Sequence, residues 1–433
     1  MSSFIRSVKS IFVISELRSR IKYTVYLLFL YRLGTVITLP GVNTDLLTKH
    51  TSGLLGLLDS FLGGAFSNLS VFGLGIMPYI NASIVMQLVS LAIPYFQRIQ
   101  REGQSGRLKI HQITKILTIF IAIGQSIAYL NFSITDEVLL IDRFWFICFS
   151  VFILTAGSMI CLWIGDRITD NGIGNGISVL IMAGIVSSLP TTLFEEYSLV
   201  TRQNSLIVFL IELLVLLFIV ATTILLNKAV RKIPLNYASE FKREIRDNKS
   251  YFPVRVIGAG VMPIIFGQVL MFLLSFIFRW LKDKSDTLSY INYIMSDSTT
   301  WQYNLVFAIL IILFTYLYTA ININPMQISE DLKHNNSFIP GIKPGKATAD
   351  YIDLILSRLT FWGSICLAFI AIIPSIAHAC GISKEFSRFF GGTSLIILVS
   401  VILECNQYIK SYLLIHKYDY IMSFEDLSNM DNK

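Results

Sequence analysis

Charged residues are scarce in this sequence. Only 15% of its 433 residues are Asp, Glu, Lys or Arg, whereas 54% are hydrophobic. An average soluble domain has about 25% charged residues, so this composition excludes an ordinary soluble protein and indicates one that spans a membrane several times. Apolar runs recur along the whole chain, which favours one core of packed helices over soluble domains joined by linkers.

Residue groupings typical of metal sites and of hydrolytic catalysis are also missing. The chain has no H-E-x-x-H, no G-x-S-x-G and no Cys/His cluster. Its five cysteines show no metal-ligand spacing, and we interpret them as small core residues: Cys148, Cys161, Cys366, Cys380 and Cys405. We therefore expect no catalytic site, no metal and no cofactor.

Ionisable residues are rare within the apolar runs as well. Glu212 is the clearest acid predicted to lie at membrane depth. Arg32, near the middle of the first run, is expected to snorkel or to cap backbone carbonyls. An ion-coupled pump would normally have more such groups at depth, so their scarcity counts against a pump.

Ten apolar runs are each long enough to cross about 30 Å of hydrocarbon. We predict spans at 22–40, 71–93, 113–131, 144–165, 175–193, 205–227, 256–279, 303–323, 352–376 and 391–411. With a cytoplasmic N-terminus, most of the 35 Lys and Arg residues fall in cytoplasmic segments. The positive-inside rule therefore predicts that both termini are cytoplasmic.

A short motif occurs twice in the chain. Gly73 to Pro78 opens the second run and Gly258 to Pro263 opens the seventh, and both fit G-x-G-[IV]-M-P. The copies lie five runs apart, and an odd number of spans per repeat turns the second half upside down relative to the first. We therefore predict two inverted halves, 1–200 and 201–433, with a site near the bilayer midplane where the repeats meet.

One stripe of residues on the second run has two interpretations. Ile76, Ile80, Ser83 and Gln87 fall on one helical stripe. This stripe could line a wet interior, or Ser83 and Gln87 could form hydrogen bonds between helices.

The segment Gly53 to Phe66 also has two interpretations. It is predicted to lie on the outer side of the membrane, between the first two spans, and suits either a short helix dipping into a funnel or a helix lying on the lipid surface.

Six segments carry recognisable motifs. They are FGLGIMPYINASIVMQL at 72–88, QREGQSGRLKI at 100–110, GIGNGIS at 172–178, RKIPLNYA at 231–238, NPMQISEDLKHNNSFIPGIKPGKATADYI at 324–352 and FGGTSLII at 390–397. In this order they resemble the SecY family, the central subunits of bacterial protein-translocation channels. The match extends from about Pro40 to Ile409.

The resemblance implies an all-α membrane protein whose ten helices form two inverted five-helix halves around an hourglass pore. The implied pore ring consists of Ile76, Ile80, Ile181, Ile265 and Ile397. A plug helix would fall within 53–66 and include Leu57, Leu58, Phe61, Leu62, Gly63 and Gly64. A lateral gate towards lipid would include Pro78, Ser83, Gln87, Ile257 and Pro263. Physically, large aliphatic side chains suit the ring, because they can form a dry collar and part without losing directional bonds.

The resemblance also implies a docking surface for the ribosome or for the SecA motor ATPase. It would consist of Arg231, Lys232, Arg255 and Lys343, in the loops after the sixth and eighth spans. Basic side chains there suit RNA phosphates. Alternatively, these residues are solvated and only set the membrane topology.

Three residues depart from the family pattern. Lys343 stands where the family usually has arginine, which removes a planar fork of hydrogen-bond donors. Leu108 replaces a common basic residue. Ile257 occupies the position of a common gate asparagine, which puts the usual polar contact with Gln87 across the gate in doubt.

We predict a protein-conducting channel subunit that translocates unfolded secretory proteins across the cytoplasmic membrane and releases transmembrane segments laterally into it. The resemblance implies SecE-like and SecG-like small membrane subunits, signal sequences, unfolded precursors and membrane lipids as further partners. Two rival classes remain. A secondary transporter shares inverted repeats but needs coupling-ion ligands at the midplane, and an intramembrane hydrolase needs a nucleophile with a base or two apposed acids.

Overall fold

The computed structural model describes residues 14–42, 63–66, 68–133, 140–202, 206–237, 251–258, 260–281, 294 and 299–430. The α-helices of these residues, in chain order, are α1 (Ser15–Val36), α2 (Met77–Ala92), α3 (Pro94–Arg101), α4 (Gln104–Ser133), α5 (Arg143–Asn171), α6 (Gly176–Arg202), α7 (Leu206–Lys228), α8 (Met262–Leu281), α9 (Trp301–Asn322), α10 (Pro325–His334), α11 (Lys346–Ala379), α12 (Lys384–Ser387) and α13 (Gly392–Met430). A short 3-10 turn, Arg388–Phe390, precedes α13.

Each of the ten predicted spans overlaps one long helix. These helices are α1, α2, α4, α5, α6, α7, α8, α9, α11 and α13. In the described part of the chain, seven helices are long and apolar enough to cross a membrane, or eight if the bent pair α2 and α3 is one span. The first helix is not among them, because charged residues lie both in its first two turns and, at Arg32, in its second half. Helix α8 qualifies only as a shorter apolar helix, Met262–Phe272.

The membrane helices expose large apolar side chains on their outer surfaces. Phe152 on α5 is 76% exposed, and Ile207 and Phe218 on α7 are 73% and 70% exposed. In water this exposure would be unfavourable, because each apolar side chain gains about 1.5–3 kcal/mol on burial. Surrounding lipid removes this cost, so the protein is a multi-pass membrane protein.

Two predicted spans begin later than the sequence suggested. We expected helices from 71 and 256, but α2 begins at Met77 and α8 at Met262. Glycines with positive φ interrupt the backbone just before, at Gly75 (φ 50°) and Gly260 (φ 63°). A helix cannot continue through this left-handed conformation, so the described residues before each methionine form turns.

Four short strands occur in the loops after α7 and α9, and the sequence analysis did not foresee them. They are β1 (Val230–Pro234), β2 (Asn236–Tyr237), β3 (Tyr251–Arg255) and β4 (Ser337–Phe338). The first and third pair antiparallel, with Arg231 opposite Val254. The second and fourth also pair antiparallel, with Asn236 opposite Phe338, so the two loops are joined by backbone hydrogen bonds.

The chain divides into two compact units. The first comprises Met1–Thr191 with Ile397–Lys433, and the second comprises Thr192–Ile396. The boundaries fall inside α6 and near the start of α13. The predicted halves, 1–200 and 201–433, stay a prediction about the inverted repeat.

Each unit has its own apolar core. In the first unit, Tyr31, Phe72, Cys161 and Leu180 are buried together and join α1, the turn before α2, α5 and α6. In the second unit, one cluster joins the strand loops to α10 and α11 through Ile233, Leu235, Val254, Leu332, Ile339, Ile352 and Leu356. The loops after α7 and α9 are therefore packed structures.

Candidate functional site

The two copies of the repeated motif adopt the same local conformation. In each copy the second glycine, Gly75 or Gly260, has positive φ. The helix begins two residues later, at a methionine, and proline is its second residue. Proline is favourable in the first turn of a helix because the N–H that it lacks would have no partner inside the helix.

Backbone hydrogen bonds match between the two copies. Gly75 N donates to Phe72 O at 2.9 Å, and Gly260 N donates to Ile257 O at 3.3 Å. In both copies the bond joins the second glycine to the residue three positions before it. Ile257 therefore occupies the place in the second copy that Phe72 occupies in the first.

A glycine on a later helix lies against each motif. A Cβ added to Gly157 on α5 would overlap the carbonyl oxygen of Val71, and one added to Gly363 on α11 would lie 2.7 Å from the carbonyl oxygen of Val256. Each carbonyl belongs to the residue two before the first glycine of its motif. Neither glycine lies in a motif of its own, so neither was predicted as a site residue.

The predicted ring residues lie in partly or fully buried positions. Ile76 is 4% exposed and belongs to the cluster around Tyr31, and Ile80 packs against that cluster. Ile397, in the same unit, is also 4% exposed. The others, Ile181 in the first unit and Ile265 in the second, are half-buried. Convergence of all five on one constriction stays a prediction.

Only the last residues of the predicted plug lie within the described part of the chain. Leu57, Leu58, Phe61 and Leu62 fall outside it. Gly63 and Gly64 are half-buried turn residues with positive φ, 62° and 87°. Arg32 Nη1 donates to Gly63 O at 2.9 Å, which confirms that this arginine caps a backbone carbonyl.

The predicted gate residues of α2 interact within their own helix. Gln87 Nε2 donates to Ser83 Oγ at 3.4 Å, and both residues are half-buried. Pro78 is buried in the first turn. In the second unit, Ile257 is 7% exposed and Pro263 is buried at the start of α8. A gate formed by these residues stays a prediction.

A polar network that sequence reasoning missed ties α2 to α4 and α5. Tyr79 Oη lies 3.5 Å from His111 Nδ1. Asp166 on α5 accepts from Lys115 Nζ at 2.6 Å and lies 3.5 Å from His111 Nε2. The spacing of His111 and Lys115, four apart on one helix face, was the available signal, but their partners lie on separate helices.

The four predicted docking residues are all exposed in the second unit. Arg231 and Lys232 lie on β1, Arg255 ends the paired strand β3, and Lys343 lies in the loop before α11. Lys232 Nζ lies 4.6 Å from the ring centroid of Tyr251, within range of a cation–π interaction. The first three therefore share one two-stranded sheet.

Hydrogen bonds fix the backbone at Lys343 and two residues after it. Thr348 Oγ1 donates to the Lys343 carbonyl at 2.9 Å, and Ser329 Oγ donates to the Gly345 carbonyl at 2.7 Å. Gly345 has φ of 101°, which favours glycine. The loop therefore presents the lysine side chain on a fixed backbone.

The positions of the cysteines correct part of their interpretation as small core residues. Cys161 is buried, but Cys148 and Cys380 are exposed, so their interpretation as core residues is wrong. Cys148 lies in a predicted span, where lipid can cover a small apolar side chain that the protein does not bury, whereas Cys380 follows the last residue of α11, beyond the predicted span. Among the described residues, no group of three or more His, Cys, Asp or Glu side chains is arranged to hold a metal ion.

Comparison with known proteins gives matches over nearly the whole chain. A family model described as SecY matches residues 70–406. The protein translocase subunit SecY of Chlamydia muridarum is 34% identical over 447 residues, which cover 96% of this chain and 98% of that protein. The shared length includes both motif copies and both strand loops.

Solved structures have the same fold. A protein conducting channel superposes with a TM-score of 0.64 at 18% identity, covering 91% of this chain and 92% of that one. Sec61 in the canine ribosome-channel complex from the endoplasmic reticulum gives a TM-score of 0.61 at 17% identity, with the same coverage. At these identities the likeness shows the fold alone.

Proposed function

The chain belongs to the SecY family and is a channel subunit of a protein translocase, and we propose that it conducts unfolded secretory proteins across the cytoplasmic membrane and releases apolar segments sideways into lipid. We further propose ten spans in two inverted halves, 1–200 and 201–433, with both termini in the cytoplasm. The excess of Lys and Arg in the segments assigned to the cytoplasm supports this orientation.

The duplicated helix start is the single observation that carries this function. Both α2 and α8 follow turns with positive-φ glycines inside apolar sequence. Irregular backbone at membrane depth is tolerated only where protein or a water-filled cavity satisfies its polar groups. Two such starts in matching positions of a repeat are typical of a central pathway.

Loss of export on depletion tests the function directly. As the protein is depleted from cells, a precursor with a signal sequence should accumulate in the cytoplasm. The measurement is the ratio of precursor to mature protein on a gel. Unchanged export, together with loss of uptake of a small solute, would instead establish a secondary transporter.

We propose that Ile76, Ile80, Ile181, Ile265 and Ile397 form the pore collar. Replacing Ile80, Ile181, Ile265 or Ile397 with asparagine should wet the collar, because a polar amide holds water where an aliphatic side chain excludes it. The expected result is a higher ion conductance in planar bilayers and export of a precursor with a shortened apolar signal.

Asparagine at Ile84 and Val179 provides the control for the collar. Both residues are buried, at 9% and 3% exposure, and both are assigned away from the collar. Asparagine there should impair folding without raising conductance. If collar and control variants behave alike in both assays, the collar assignment fails.

We propose that α2 and α8 are the gate helices, with Pro78, Ser83, Gln87, Ile257 and Pro263 at the gate. Ile257 cannot form a hydrogen bond through its side chain, so closure of the gate would depend on apolar packing. Signal sequences and lipid would then meet at this gate.

We assign the plug to 53–66, including Leu57, Leu58, Phe61, Leu62, Gly63 and Gly64.

Arg231, Lys232, Arg255 and Lys343 are proposed as the docking surface for the ribosome or for the SecA motor ATPase. Their exposure and the fixed backbone around Lys343 support this proposal. Sec61 in its canine complex is a ribosome-bound relative in fold. A single-span SecE-like subunit and a SecG-like subunit are proposed as stable partners, which co-purification in mild detergent would detect.

Charge reversal tests the docking surface. Glutamate at Arg231 and Lys343 should weaken binding of ribosomes or SecA to reconstituted vesicles, and the remaining binding should depend less on salt, because fewer ionic contacts are left. Glutamate at the exposed Lys410 on α13 is the control for net charge. Equal affinity of docking and control variants for both partners would refute the assignment.

A further inference from the structure

Two glutamates are buried near the beginning of α7. Glu196 lies in the last third of α6 and is 3% exposed, and Glu212 lies in the second turn of α7 and is 8% exposed. The only other charged residue of α7 is Lys228, at the opposite end of the helix. A buried charge in apolar surroundings is costly unless it is compensated, so both carboxyl groups require a partner.

A contact between α6 and α7 brings the two glutamates into one site. The ring of Tyr197, the residue after Glu196, lies 5.7 Å from the ring of Phe209, measured between centroids. Phe209 is three residues before Glu212 and shares its helix face. The two carboxyl groups are close enough for their charges to repel each other.

One oxygen of each carboxyl group is buried without a donor. Glu196 Oε2 and Glu212 Oε2 find no hydrogen-bond partner among the described residues. The other oxygen of Glu196 accepts from Ser383 N at 3.5 Å. A buried acceptor without a donor is costly. A carboxylic acid has one O–H donor that a carboxylate lacks, so a proton on one glutamate would supply the donor that the other needs.

The buried charges around the pair do not balance without a proton. The turn that precedes α13 packs against α7, and Arg388 in this turn is 9% exposed. It contributes one buried positive charge, whereas Glu196 and Glu212 together would contribute two negative charges. One bound proton makes this part of the molecule neutral.

Other titratable side chains on the packed elements do not change this balance. Glu195 and Tyr197 on α6 are exposed to the surroundings. His378, near the end of α11, is half-buried, and its Nδ1 lies 3.1 Å from the Ile382 carbonyl oxygen. A neutral imidazole with its proton on Nδ1 donates to this carbonyl, so His378 needs no charge to satisfy the contact.

We propose that Glu196 and Glu212 form a proton-binding site that joins α6 to α7. One proton lies between the two Oε2 atoms, so that one glutamate is a carboxylic acid and donates to the carboxylate of the other. Release of the proton leaves two like charges in apolar surroundings, and the helices then repel each other at this contact. In the orientation proposed above, the site lies towards the outer surface and exchanges its proton with the outer solution.

A divalent cation is the alternative occupant. Calcium takes about six to eight oxygen ligands. Among the described residues, no third acidic, histidine or cysteine side chain joins the pair to hold a metal. A shared proton needs only the two carboxyl oxygens that are already present, so the geometry favours the proton.

The main test is Glu212→Gln, whose amide can donate to Glu196 without a proton that leaves. Between about pH 6 and about pH 9, the thermal unfolding midpoint of the wild type in detergent should fall by roughly 2–4 °C. The midpoint of the variant should stay level, which makes the variant the more stable protein at the alkaline end. Glu330→Gln, at an exposed acid on α10, should follow the wild type. A Glu212→Gln midpoint that falls as steeply as that of the wild type would overturn the proposal.

Infrared spectroscopy detects the bound proton itself. A protonated carboxyl group has a C=O stretching band that a carboxylate lacks. The difference spectrum between wild type and Glu212→Gln should show this band at the acidic end of the range and lose it at the alkaline end. Absence of the band throughout would refute the site. If Glu212→Gln does not fold, Glu196→Gln takes its place with the same expectation, because the remaining carboxylate then accepts from an amide.

Added calcium separates a proton from a metal ion. Millimolar Ca²⁺ should leave the wild-type unfolding midpoint unchanged at the alkaline end of the range. A midpoint that rises with Ca²⁺ in the wild type but not in Glu212→Gln would show a metal site and overturn the proposal. These measurements report stability and protonation, so their outcome does not depend on what the channel conducts.

Discussion

The two helix starts have the same backbone conformation but different surroundings. Both starts pair with the residue that follows the preceding helix: Val71 N donates to Ile37 O at 2.9 Å, and Val256 N donates to Ala229 O at 3.0 Å. Before α2, however, Gly73 is buried, and a Cβ added there would lie 2.9 Å from a backbone carbonyl oxygen. Before α8, Gly258 is exposed, and a Cβ added there would meet nothing closer than the end of a side chain, at 3.2 Å. The motif thus determines the backbone conformation, whereas neighbouring segments determine how firmly each start is held.

The largest loss of stability is expected from a substitution that removes an apolar contact of α8, near the second helix start. Phe266 on α8 packs edge-on against Phe314 and Tyr318 of α9, with centroids 5.8 and 6.0 Å apart. Phe266→Ala should lower the free energy of unfolding by about 3–5 kcal/mol, because it leaves a cavity. Thermal unfolding in detergent measures the loss. Met262→Ala, at a 36% exposed position, should shift the midpoint much less, and an equal shift would refute this account.

A smaller loss of stability is expected from substitutions at the two glycines that lie against the motifs, Gly157 and Gly363. Gly157→Ala should cost about 1–3 kcal/mol, because its Cβ meets backbone that cannot rotate away. Gly363→Ala should cost less, since the contact at the second start is looser at 2.7 Å. Gly124 on α4 has nothing within 4 Å and provides the control. Unfolding midpoints that fall in any other order would contradict the comparison.

The smallest effect concerns the polar network that ties α2 to α4 and α5. Asp166→Asn should cost up to about 1 kcal/mol, because the Lys115 ion pair is partly exposed. Added salt should reduce the difference from the wild type, whereas the Phe266→Ala loss should not depend on salt. Glu102→Gln, in a more exposed pair with Lys109, is the control. A salt-independent Asp166→Asn loss would indicate packing and not charge.

Most of the fold could be predicted because it depends on local sequence. Each run of about 20 apolar residues identified a helix, and the repeated motif identified two unusual helix starts. The late beginnings at Met77 and Met262 were missed, because hydropathy does not detect a positive φ. Turn glycines at 75 and 260 were the available signal.

The unpredicted parts depend on contacts between residues far apart in sequence. Gly157 beside Val71, and Asp166 between His111 and Lys115, require knowledge of which helices are neighbours. Strand pairing in the loops was equally hidden, since β2 and β4 are only two residues long. Arg32 was the exception, because an arginine inside an apolar run requires a partner wherever the helix lies.

Pairing of β2 with β4 has a mechanical consequence. The two strands belong to loops that leave different membrane helices: the loop with β2 follows α7, and the loop with β4 leads into α11. Because the buried side chains Ile233, in the first loop, and Ile339, in the second, belong to one cluster, the loops resist being pulled apart. A force applied at Lys343 would therefore act on both α7 and α11 and would tilt the two helices together.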